Sequence, residues 1–316
     1  MSQDIQTQFR HIPVMVDEVC ALLISDPSGI YVDGTFGLGG HTKALSSLLN
    51  VDAQLIGIDQ DQTALAQFSP TSVQQSLHLE CTNFENLDQV LTDLNVNKVH
   101  GILLDLGLNS FSLDDPERGF AFSLKGPLDM RFDRSGKRTA ETVVNEYSEE
   151  DLANIIYKYG EERHSRRIAK RIVEMRSIKK LTQSEELREA VSRSVHPQFR
   201  NKSLARVFQA IRIEVNREIE VLSKILDTAI QVLAPGGRVA VISYHSLEDR
   251  MVKRYFRDLS QDVPLQPGMW EDEVKIPLLK VITKKPVTAT PAEIEMNPRS
   301  RSAKLRVAER TAYASK

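Results

Sequence analysis

The chain has 316 residues, enough for one large domain or two smaller ones with a full core, and only two cysteines, Cys20 and Cys81. The cysteines are far apart and lack metal-ligand spacing, which argues against a zinc site and for a reducing, cytoplasmic setting. No apolar run reaches membrane-spanning length, so no membrane partner is expected; the net charge of −2 conceals a split, with 3 Lys/Arg against 13 Asp/Glu in residues 1–105 and 38 against 30 in the remainder.

The first predicted strand, Ile30-Tyr31-Val32-Asp33, ends in an acid and opens into Gly34, Gly37, Gly39 and Gly40. A helix-like segment over residues 41–49 follows at once. Strand, glycine loop and helix in that order predict a nucleotide-binding turn, because glycine lets the backbone approach a ligand closely. The loop is not G-x-G-x-x-G, since position 42 is Thr, and it lacks the Gly-Lys-Ser/Thr ending of a P-loop. A carboxylate at the strand end repels a pyrophosphate but suits a ligand carrying ammonium and sulfonium charges. Asp33 therefore points to S-adenosylmethionine. A structural turn with no ligand is the competing account of the loop taken alone.

Three more β units follow. Residues 54–59 form an apolar run ending at Asp59, with a helical stretch over 61–68. Residues 77–81 alternate like a strand, and Asn83 can cap a helix carrying Phe84, Leu87, Val90, Leu91 and Leu94. Residues 99–104 read as a buried strand ending at Asp105. Four units at this spacing predict an α/β fold, a Rossmann-like, doubly wound parallel sheet. Ligands of such sheets bind outside the carboxyl ends of the strands, where Asp33, Asp59 and Asp105 fall.

The alternation stops after Asp105. Residues 107–147 are rich in Gly, Pro, Asp and Arg, and from Ser148 the pattern is helical. Ser148-x-x-Asp151 and Thr182-x-x-Glu185 read as capping boxes. Apolar stripes run through Leu152, Ile155, Ile156 and Tyr159, and through Ile168, Ile172, Val173 and Met175. A further helical pattern covers about 203–233 and stops at Pro235-Gly236-Gly237. Strand pattern returns over 238–244, Ser246 is the expected cap of the next helix, and residues 278–283 and 303–308 look like a closing pair of strands. The stretch 262–277, with the only Trp, Trp270, reads as a loop. The expected organisation is a methyltransferase-type sheet domain in two parts, 1–108 and 213–316, interrupted by a mostly helical insertion over 109–212.

Each site residue has a chemical reason. A carboxylate at Asp59 can accept both ribose hydroxyls of a nucleoside. Phe84 can stack on an adenine, and core packing explains it equally well. His41, beside Gly39 and Gly40, lies near the cofactor. At Asp105 a carboxylate can accept the N–H of an exocyclic amine and take up its proton, or hold the methionine amino group; sequence leaves both open. His245, following the last parallel strand, is a second candidate proton acceptor. No metal is called for. Residues 163–180 hold eight Lys/Arg and one acid, Glu174, and an uncompensated basic stretch in a weakly acidic protein reads as a docking surface for a polyanion.

Taken in order, the motifs are specific. They include Asp33-Gly-Thr-Phe-Gly-x-Gly-Gly-His41, Leu103-Leu-Asp-Leu-Gly107, Gly126-Pro-Leu-Asp-Met-Arg131, Tyr159-Gly-Glu-Glu-Arg163, Phe208-Gln-Ala-Ile-Arg212 and His245-Ser-Leu-Glu-Asp-Arg250. Over nearly its whole length the chain resembles the bacterial ribosomal RNA small-subunit methyltransferase H family, which methylates N4 of a decoding-centre cytidine in 16S rRNA. The resemblance implies S-adenosylmethionine as cofactor, with contacts at Gly39, Gly40, His41, Asp59, Phe84 and Asp105. It also implies that the insertion recognises 16S rRNA in the small ribosomal subunit and that the modification serves decoding. One departure stands out: Ser112 occupies the place of the family's cofactor-contacting Gln. Asp105 and His245 are the expected catalytic pair, with Phe111, Phe120 and Phe122 as the wall for a splayed cytosine. Sequence leaves open a homodimer, a non-catalytic ribosome-assembly role and, less suited to the basic insertion, a small-molecule methyltransferase.

Overall fold

A computed structural model describes residues 12–108, 113, 115–261 and 277–312. Ser112, Phe111 and Trp270 lie outside these residues. The chain forms two compact units, one of Met1–Gly107 with Leu222–Lys316 and one of Leu108–Val221.

The first unit is built on a seven-stranded sheet. Its strands are β1 (Ile30–Asp33), β2 (Gln54–Asp59), β3 (Ser76–Cys81), β4 (Val99–Asp105), β5 (Leu233–Ser243), β6 (Leu279–Val281) and β7 (Lys304–Arg310). They lie in the order β3-β2-β1-β4-β5-β7-β6, with β3 to β5 parallel and β7 antiparallel to both its neighbours. Short βα crossovers link β1 to β4, the helical segment intervenes between β4 and β5, and β7 with β6 completes the sheet as an antiparallel edge. Side-chain alternation divides the strands between two cores. Val32, Ile56, Ile102, Leu104 and Val241 face one layer with Leu87, Val90, Leu226 and Phe256. Tyr31, Leu55, Leu103, Ala240 and Leu305 face the other, with Val19, Leu23 and Leu45. Both faces are therefore covered, as a parallel sheet requires.

The second unit is helical. Ala140–Glu146, Glu149–Gly160, Ser165–Ile178, Ser184–Ser194 and Arg200–Asn216 are its helices. The predicted stripe residues Leu152, Ile156, Ile168 and Ile172 are fully buried together with Val191, Val207 and Ile211. A Cβ on Gly160 would lie 2.6 Å from the Arg206 carbonyl oxygen, so glycine is what lets these two helices approach.

Several boundaries differ from expectation. The helical pattern over 203–233 is two helices, because Arg217 takes a left-handed conformation (φ 53°) between Asn216 and the helix Glu218–Val232. No glycine marks that break, so periodicity runs through it. Strand β5 begins at Leu233, five residues before the expected start at 238, and takes in Pro235-Gly236-Gly237 where its register with β4 shifts. The capping box predicted at Thr182 is one residue on, at Gln183 with Glu186, and the cap predicted at Ser246 is His245. The Ser148 cap forms as expected, accepting from the Asp151 amide at 3.0 Å. No helix among the described residues is long and apolar enough to cross a membrane.

Candidate active site

The strand order puts the three predicted acids on neighbouring strands, β2, β1 and β4. Register then sets their depths. Asp33 is level with Gly57 and Leu103, so Asp59 and Asp105 each extend two residues beyond it, roughly 6.6 Å toward the rim. Asp33 is accordingly buried, while Asp59 and Asp105 keep partial exposure.

Asp33 is closed in by its own loop. Its Oδ2 accepts from Thr42 Oγ1 at 2.8 Å and its Oδ1 from the Thr35 amide at 3.3 Å. Burial nevertheless pushes its carboxyl above the usual range, opposed by nearby His41 and by these hydrogen bonds. Asp59 holds the loop from the other side. Its Oδ2 accepts from the Gly37 amide at 2.7 Å and its Oδ1 from the Asp61 amide at 2.8 Å. Burial raises its pKa too, with both amides opposing. Each oxygen keeps a second lone pair for an external donor.

The glycines are required by space. Gly39 has φ 73°, and a Cβ there would lie 2.4 Å from the Phe68 ring. Phe68 packs edge-on against Phe36, with centroids 4.8 Å apart. A Cβ on Gly40 would lie 2.9 Å from Pro13. The loop thus passes between rings with bare backbone, and the helix Gly40–Ser46 starts directly behind it. Phe84 opens a short 3₁₀ turn after β3 and is half-buried against the core, so its packing role is real whatever else it does.

Asp105 is the meeting point of four segments. Its amide donates to Thr35 Oγ1 at 2.7 Å. Its Oδ1 accepts from the Tyr244 hydroxyl at 2.8 Å, and its Oδ2 lies 4.0 Å from His41 Nδ1. His41 Nε2 is 2.8 Å from the Val14 carbonyl, which only a protonated Nε2 can satisfy, so Nδ1 is the nitrogen turned toward Asp105. Desolvation pushes the Asp105 carboxyl up to about 6; His41 and Tyr244 pull it down, and Asp33 and Glu248 push it further up.

His245 is occupied differently. It is the N-cap of the helix Ser246–Ser260: its Nδ1 accepts from the Glu248 amide at 3.4 Å, and its Nε2 is 3.1 Å from Glu248 Oε1. Glu248 in turn accepts from the Tyr244 amide at 3.1 Å. The hydroxyl reaching Asp105 therefore comes from Tyr244, one residue before the histidine singled out by sequence. Thr35, Thr42, Tyr244 and Glu248 were missed because a hydroxyl or a cap acquires its role only when the strand ends are brought together.

In the helical unit the basic run divides. Arg171 pairs with Glu174, Lys179 with Glu186 and Lys180 with Glu141, while Arg176 donates to the carbonyls of Val144 and Tyr147. Arg163, Arg166, Arg167 and Lys170 are exposed, and no ion pair among the described residues holds them. Phe120 is buried beside Phe132, and Phe122 packs edge-on against Phe208 at 5.9 Å. Both phenylalanines line a cleft of about 410 Å³ within this unit, with Gln209 and Arg212 as polar members.

Comparison with known proteins identifies the family. A model of the MraW methylase family matches residues 8–311. A protein called ribosomal RNA small subunit methyltransferase H from Caldicellulosiruptor saccharolyticus is 44% identical, covering 96% of this chain and 99% of its own. One of the same name from Idiomarina loihiensis is 43% identical, covering 97% and 98%. A solved structure, a putative rRNA-methylase from Clostridium thermocellum, is only loosely similar, at TM-score 0.40 and 12% identity over 93% of this chain and 94% of that one.

Proposed function

Because the chain belongs to the MraW methylase family, we propose that it uses S-adenosylmethionine to methylate N4 of a decoding-centre cytidine in 16S rRNA. The observation that carries this reading is the convergence of Asp33, Asp59 and Asp105 at the ends of three adjacent strands around a bare glycine loop. Such a site suits a nucleoside that carries positive charge. Asp59 has lone pairs for two ribose hydroxyls, Gly39 and Gly40 offer backbone without side chains, and Phe84 offers a partly buried ring for an adenine. His41 closes the floor beside Asp105. When bound, the cofactor supplies a methyl group on a sulfonium, and the fixed carboxylates favour that cationic species electrostatically.

The exocyclic nitrogen of cytosine is a poor nucleophile because its lone pair is conjugated with the ring. Asp105 accepts its N–H, which concentrates electron density on the nitrogen. The cofactor, held by the glycine loop and Asp59, would supply the methyl group and leave as a neutral thioether, and Asp105 would take up the surplus proton of the methylated nitrogen. A carboxyl raised to about 6 is still ionised at neutral pH, yet basic enough to serve as acceptor. We assign His245 to capping and to holding Glu248 rather than to proton transfer.

We assign the helical unit the task of binding the RNA. Its exposed Arg163, Arg166, Arg167 and Lys170 provide positive charge free for phosphates, and Phe122 is a candidate for stacking on an extruded base. The decoding role follows from the modified nucleotide's place in the ribosome. The test is transfer of labelled methyl to purified small subunits, with digestion to nucleosides. N4-methylcytidine is the expected product, and label on any other nucleoside, or none, contradicts the reading.

A further inference from the structure

Asp105 does not stand free at its strand end. Its two oxygens face different partners, the Tyr244 hydroxyl at 2.8 Å from Oδ1 and His41 Nδ1 at 4.0 Å from Oδ2. Tyr244 is itself fixed at both ends. Its amide is held by Glu248 at 3.1 Å, and its ring passes Gly107, where a Cβ would lie 3.6 Å from Tyr244 Cδ2. The His245–Glu248 capping box thus fixes the backbone that aims Tyr244, and Tyr244 fixes a rotamer of Asp105.

We propose that Tyr244 is a positioning residue for Asp105, committing Oδ1 through its hydroxyl so that Oδ2 is the oxygen offered to an incoming amine, and holding the carboxylate in its charged form. This rests on the reading of Asp105 as the group that receives the amine proton. A phenol hydroxyl can only donate here, since an ionised carboxylate has no proton to give. A donated hydrogen bond stabilises the charged carboxylate against desolvation. The other groups facing Asp105 are His41, which also favours its charge, and Asp33 and Glu248, which oppose it. Removing the hydroxyl therefore leaves two opposing acids against one histidine.

The experiment is a ¹³C-carboxyl NMR titration of the whole protein without ligand, with Asp105→Asn identifying the resonance. The wild-type midpoint is expected near 6, and Tyr244→Phe should raise it by about one pH unit. Replacing Tyr244 alone by 3-fluorotyrosine, a stronger donor of the same shape, should lower it. The acidic limb of the kcat profile should move up with the midpoint in Tyr244→Phe, so that activity lost near pH 6 returns at alkaline pH. An unchanged midpoint in both variants overturns the proposal. Because the titration needs neither cofactor nor RNA, it stands apart from the functional reading, which fails instead if the wild-type protein transfers no methyl to rRNA.

Discussion

The amide of Gly37 donates to Asp59 Oδ2 at 2.7 Å, so the carboxylate that ends β2 also holds the loop that leaves β1. One side chain thus shapes the glycine loop and, in the proposed reading, also takes a ribose. The two duties cannot be separated by a single substitution, but they can be graded.

Asp59→Ala should remove both, weakening S-adenosylhomocysteine binding by at least about tenfold, given that a hydrogen bond to a charged group is worth roughly 1.5–3 kcal/mol. Asp59→Asn keeps one acceptor oxygen and should lose less. Titration calorimetry measures both, and wild-type affinity in Asp59→Ala would remove this residue from the site.

At Gly39 the expected effect is steric. Gly39→Ala places a methyl 2.4 Å from the Phe68 ring on a residue with φ 73°. The loop or the Phe36–Phe68 pair must shift, costing about 1–3 kcal/mol of stability along with cofactor affinity. Thermal unfolding and calorimetry on the same sample check both losses together.

Asp105→Asn should separate stability from function. Burial raises the folded-state pKa of Asp105 from 3.8 to about 6, so the ionised carboxylate penalises the folded state above that range. As pH falls through about 6 toward 3.8, the wild-type protein regains this stability. An asparagine accepts from Tyr244 through its side-chain oxygen, so it fits without the charge. The variant should be more stable than wild type by about 1–3 kcal/mol above roughly pH 6.5, with the gap closing below about pH 4, and should lose methyl transfer. A variant less stable than wild type in mildly alkaline buffer would show that the carboxylate is a stabilising partner there.

The basic run should respond in two ways. Arg166→Ala with Arg167→Ala should leave stability nearly unchanged and flatten the salt dependence of RNA binding by roughly 0.7–0.9 for each phosphate no longer neutralised. Arg176→Ala strips two carbonyls at the end of the helix Ala140–Glu146 and should cost about 1–3 kcal/mol while leaving that slope alone. Filter binding across a salt series and thermal unfolding distinguish the two. Equal effects would mean that the run is not divided as described.

Much of this site was legible in the sequence because strand-end acids and a glycine loop are local signals. Asp33, Asp59 and Asp105 each follow an apolar run, and the parallel order of the sheet does the rest. What sequence could not supply was depth and partnership. Asp33 is sealed by Thr35 and Thr42 because β1 stops two residues short of its neighbours, a fact of register rather than of pattern. Tyr244 reaches Asp105 only because β4 and β5 pair so that Asp105 stands opposite Ile242. The helix break at Arg217 was invisible for the opposite reason, since the residue there carries none of the usual stop chemistry. Likewise the basic run is uniform as a string of letters, whereas in the fold its second half holds Glu141, Glu186 and the carbonyls of a neighbouring helix.

In the proposed reading the chain methylates a decoding-centre cytidine, with Asp105 at the reacting nitrogen. Mass spectrometry of 16S rRNA fragments from cells lacking the gene tests it most directly. The N4-methyl of that cytidine is expected to disappear, to return with the wild-type gene, and not to return with Asp105→Asn. Persistence of the N4-methyl in the deleted strain would contradict it.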